Sequence, residues 1–65
     1  IRANGITTTA TSAGITLRWH GGLVARGLTV DQARHIERQL IALRPGGDCY
    51  RYGGKTMSWA GVVQP

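Results

Sequence analysis

A chain of 65 residues with 8 Lys and Arg against 3 Asp and Glu, a net charge of +5, has room for one domain and favours polyanionic partners. Folding a chain this small hides only about 60% of its unfolded surface, which leaves little volume for an enclosed catalytic pocket. The lone cysteine, Cys49, excludes an intrachain disulfide; no run reaches the ~20 apolar residues of a membrane span and no basic-then-apolar leader opens the chain, so a soluble protein of a reducing, cytoplasmic setting is expected.

The first residue is Ile1 rather than Met, which predicts a processed chain or an excised domain. Residues 1–5 read as a lead-in closed by Gly5. Ile6 to Thr11 is β-branched and alternates, and Ile15 to His20 alternates again after Ser12-Ala13-Gly14. These runs predict a hairpin, with Ile6, Ile15, Leu17 and Trp19 on its apolar side. Gly21-Gly22 closes it, and Leu23 to Gly27 reads as a connector whose Leu23 and Val24 dip into the core.

The strongest signal is Thr29 to Leu43. Thr29 and Gln32 form a capping-box pair, Asp31 suits the positive end of the helix dipole, Arg44 suits the other end, and Pro45-Gly46-Gly47 stops the helix. Ala33, Ile36, Leu40 and Leu43 share one face. Asp31, Arg34, His35 and Arg38 lie opposite, on a face that is charged and solvated. Beyond the helix, Asp48 to Tyr52 and Lys55 to Val63 flank Gly53-Gly54, a pair suited to a primed turn. That hairpin is expected to turn Tyr50, Tyr52, Met57, Trp59 and Val63 to one side.

The whole reads as α+β with order ββαββ: two antiparallel hairpins in a four-stranded sheet, one helix on one face. The uncovered face would then present Thr7, Thr9, Thr11, Thr16, Arg18, His20, Arg51, Thr56 and Ser58, either solvated, laid on phosphates, or paired with another subunit.

Motifs for chemistry are weak. Gly54-Lys55-Thr56 echoes a phosphate-binding loop, yet Cys49 stands where its first glycine belongs and a strand, not a helix, follows. His20, His35 and Cys49 show no zinc spacing; a Cys49–His20 pair on the open face is geometrically conceivable, yet a lone cysteine reads first as a packing residue, and His20 on a strand and His35 on the far face of the helix are not placed for acid–base work. No enzyme activity, metal or cofactor is therefore expected. Seven of the eight cations are arginine, whose planar fork suits phosphate, and they are spread along the chain rather than gathered in a tail. Trp19, Tyr50, Tyr52 and Trp59 read first as core; an exposed Trp or Tyr52 beside Arg18 or Lys55 would instead offer bases a stacking platform.

The expected function is a non-enzymatic nucleic-acid-binding module, for DNA or RNA. Arg18, His20 and Arg51 lie on the open sheet face, and Arg34 and Arg38 on the helix form the rival surface. The alternative is a protein-interaction or assembly subunit, a homo-oligomer or an accessory chain docked on a protein partner, with no membrane involved.

Overall fold

The computed structural model describes residues 5–63, so the expected lead-in lies, Gly5 apart, outside the described residues. The described chain runs β1 (Ile6–Thr11), β2 (Gly14–Trp19), β3 (Gly22–Leu28), α1 (Val30–Ile41), β4 (Cys49–Tyr52), β5 (Lys55–Ser58) and β6 (Gly61–Val63). It corrects the expected ββαββ order and its single four-stranded sheet. The strands form two separate three-stranded antiparallel sheets, β1-β2-β3 and β4-β5-β6.

The first hairpin is as the alternation predicts, with Ile6 opposite Trp19 and Thr9 opposite Thr16. Its turn is tied by Thr11, whose hydroxyl accepts from the Ala13 N–H (3.2 Å) and donates to the Gly14 carbonyl (2.8 Å). The connector expected over Leu23 to Gly27 is instead strand β3. Its pairing with β2 shifts register between Ile15 and Leu17 and between Leu17 and Arg18. Such bulges insert unpaired residues and break the two-residue alternation by which a strand is read. Gly14 and Gly27 allow this close approach, since a Cβ on Gly14 would lie 2.7 Å from the Gly27 carbonyl carbon.

The second correction is inside Lys55–Val63, which is two strands. Ser58 folds the chain as Thr11 does: its hydroxyl accepts from the Ala60 N–H (3.3 Å) and donates to the Gly61 carbonyl (3.2 Å). Trp59 and Ala60 form the turn, so Met57 pairs with Val62 and Thr56 with Val63. Val62, not Val63, thereby joins the core side. Trp59, expected in the core, is 53% exposed.

The helix begins where expected. The Thr29 hydroxyl accepts from the Gln32 N–H (3.1 Å), and the Gln32 side-chain oxygen accepts from the Thr29 N–H (2.9 Å). Its last turn ends at Ile41, and Leu43 follows outside the helix, still buried. Ala33, Ile36 and Leu40 press on β2 and β3, where Leu17, Trp19, Val24 and Leu28 meet them. Met57 joins this core from the second sheet, with Tyr50, Tyr52 and Val62 packed around it. Two polar bonds lock the sheets together: Trp19 Nε1 donates to the Ser58 carbonyl (2.7 Å) and Lys55 Nζ to the Leu23 carbonyl (3.1 Å).

Candidate nucleic-acid interface

Because α1 packs on one face of β1-β2-β3, the opposite face stands in solvent. Pairing fixes what it shows. Thr7 lies opposite Arg18 and Thr9 opposite Thr16. On β3, Leu23 is opposite Arg18, and Arg26, exposed, follows the core-packed Ala25 in the bulge that faces Thr16, between the Ala25–Leu17 and Leu28–Ile15 pairs. Both Arg18 and Arg26 are exposed, as are Thr7, Thr9 and Thr11. The open face is thus a threonine layer crossed by two arginines on neighbouring strands.

Arg51 does not share it. It is exposed on β4, an edge strand of the second sheet, opposite Thr56, whereas Arg18 lies on the central strand of the first. Their strands are not neighbours, and the continuous face expected to join them does not exist. Thr56 and Ser58 likewise belong to the second sheet.

His20 is not a strand residue either. With Gly21 it makes the two-residue turn between β2 and β3, and both take positive φ, 51° and 84°, the pattern of a type I′ turn. Its N–H donates to the Gly5 carbonyl (2.8 Å), and its ring meets the Trp19 ring edge-on, centroids 4.4 Å apart. A Cβ on Gly5 would come within 2.5 Å of the imidazole, so this glycine leaves the ring its space. His20 therefore lies at the end of the sheet, on the Trp19 side.

Arg34 and Arg38 are exposed on the helix, away from the sheet. Among the described residues, no side-chain hydrogen bond engages an arginine guanidinium, so each is available to an outside anion. Lys55 differs, one N–H of its ammonium donating to the Leu23 carbonyl (3.1 Å).

No cluster of three or more metal-ligating side chains occurs among the described residues, and Cys49 is a free, exposed thiol. No helix of the described chain is long and apolar enough to cross a membrane. The Tyr50 phenol is raised above its ordinary value, first by burial and then by the nearby Tyr52. The sequence suggests no face for Arg26 and puts Trp59 first in the core. The turn signals that place them, His20-Gly21 before β3 and Ser58 with Gly61 three residues on, are present in the chain.

Comparison with protein-family models, with curated proteins and with solved structures finds no match.

Proposed function

We propose that this chain is a non-enzymatic nucleic-acid-binding module that lays the open face of β1-β2-β3 on a duplex backbone. One observation carries the reading: Arg18 and Arg26, with no side-chain hydrogen-bond partner among the described residues, stand on adjacent strands of a solvent-facing sheet whose other face is covered by the helix. With Ala25 opposite Leu17, Arg26 falls about two residues along β2 from Arg18, roughly 7 Å along the strands. That span matches neighbouring phosphates, and flanking threonine hydroxyls add weaker donors. The net charge of +5 supplies the counterion-release contribution to affinity. Phosphate contacts of this kind hold position without reading sequence.

The second reading, an assembly or accessory subunit that docks on a protein, draws on the exposed apolar side chains of Ile41, Trp59 and Val63. Titration of the protein with a nonspecific duplex at two salt concentrations, with its mass measured in solution, separates the two. Binding that weakens steeply with salt supports the nucleic-acid module. A stable oligomer that ignores the duplex contradicts it and favours assembly.

A further inference from the structure

We infer that the outer edge of β1 is a self-association site, where a second copy of this chain pairs antiparallel through the same strand, about a two-fold axis at Thr8, to make one continuous six-stranded sheet. The inference does not rest on the nucleic-acid reading; it names a partner for a part of the sheet that reading leaves unused.

The order β1-β2-β3 leaves β1 with one unpaired side, and the pairing fixes which backbone groups lie there. The His20 N–H donates to the Gly5 carbonyl (2.8 Å), so Gly5 turns its polar groups toward β2. Orientation alternates along an antiparallel ladder, which makes Thr7, Thr9 and Thr11 face β2 as well. The two-residue turn between Thr11 and Gly14 demands the same phase. The backbone N–H and C=O groups of Ile6, Thr8 and Ala10 therefore point outward, where no strand among the described residues meets them.

Proteins blunt exposed edges with charge, bulges, shortness or cover. Among the described strands, the other three edges are blunted in these ways. Strand β3 is bulged, carries Arg26, and has Val62 of β6 so close that a Cβ on Gly22 would lie 2.9 Å from it. Strand β4 is four residues long with Arg51 exposed on it, and β6 is only three. Strand β1 is six residues, ITTTAT, paired without a bulge and free of charge and proline. It is the edge left open to pairing.

The occupant is a copy because this edge complements itself. Its outward groups sit on three alternate residues centred on Thr8, so an antiparallel copy sets Thr8 against the copy's Thr8 and Ile6 against the copy's Ala10. Each such pair exchanges both of its hydrogen bonds, and no outward donor or acceptor is left over. On the open face the same register sets Thr7 against the copy's Thr9, a favourable cross-strand pair. The net charge of +5 does not act at the contact: the strand is uncharged, and the groove of about 360 Å³ beside Thr8 is lined by one cation and one anion, Arg34 and Glu37, with apolar side chains. Strand addition by a foreign chain takes its specificity from pockets for alternate side chains, whereas the exposed Thr7, Thr9 and Thr11 offer a uniform row of hydroxyls. A closed two-fold pair also uses up the edge, so association stops at the dimer.

The test is the mass in solution over a concentration series, with amide hydrogen exchange at its two ends. The unaltered protein should pass from monomer to dimer, and the amides of Ile6, Thr8 and Ala10 should slow far more than those of Thr7, Thr9 and Thr11. Thr8→Lys and Thr8→Glu each set like charges opposite one another at the axis, and each should raise the dimer dissociation constant on the order of fivefold. An equimolar mixture of the two variants should restore the dimer, since opposite charges then meet. Circular dichroism checks that each variant is folded, and the exchange measurement needs no variant. A monomer at every concentration up to about 1 mM would overturn the inference. So would a dimer whose Ile6, Thr8 and Ala10 amides exchange as in the monomer, or one that neither variant weakens. A β1-paired dimer that ignores a nonspecific duplex would leave this inference standing and end the nucleic-acid reading.

Discussion

The indole N–H of Trp19, the last residue of β2, donates to the carbonyl of Ser58, the last residue of β5, at 2.7 Å. This bond spans the two sheets at the point where the core is shared. Trp19→Phe keeps most of the apolar contact but leaves the Ser58 carbonyl without this donor, at a cost of about 1–3 kcal/mol. Hydrogen exchange should show β4, β5 and β6 opening more readily while β1 and β2 keep more of their protection. Equal acceleration in both sheets would mean that the bond does not govern how they are joined.

Leu40 is fully buried in the core where the helix packs on β2 and β3. Leu40→Ala should cost about 2–5 kcal/mol, comparable to the whole stability of so small a domain. Denaturant unfolding should show a chain partly or wholly unfolded at room temperature; a midpoint unchanged from the parent would contradict the packing.

Burial, followed by the charge of Tyr52, raises the Tyr50 phenol above its ordinary value of 10.0. Below pH 10.0 folded and unfolded chains both hold this proton, and its contribution to stability is complete. As pH rises past that point the unfolded chain releases it first, so stability falls until the folded group has also titrated. Urea unfolding along an alkaline series should show this loss, and Tyr50→Phe should shrink it. A parent and a variant with the same alkaline profile would place the loss elsewhere.

Local signals in the sequence carried the helix, the first hairpin and the Tyr52–Lys55 turn into the structure. The capping pair Thr29 and Gln32 and the glycine pair 53–54 act within a few residues, so their geometry is legible without tertiary context. Strand β3 was not, because bulges opposite Leu17 break its alternation, and the Trp59 turn was hidden inside an apolar run. Those two misreadings propagate to the site. With β3 taken as a connector, Arg26 had no face. With Lys55 to Val63 taken as one strand, Trp59 was assigned to the core, and Arg18 and Arg51 to one sheet.

The most direct test of the account is the slope of log affinity against log salt for a nonspecific duplex, measured for Arg18→Ala and Arg26→Ala beside Arg34→Ala, Arg38→Ala and Arg51→Ala. Each arginine that contacts a phosphate contributes about one unit of slope. Arg18→Ala and Arg26→Ala should each lower its magnitude by about one unit. They should weaken binding equally for all sequences, while the helix variants and Arg51→Ala leave the slope unchanged. A slope lowered by Arg34→Ala or Arg38→Ala and untouched by Arg18→Ala and Arg26→Ala would contradict it.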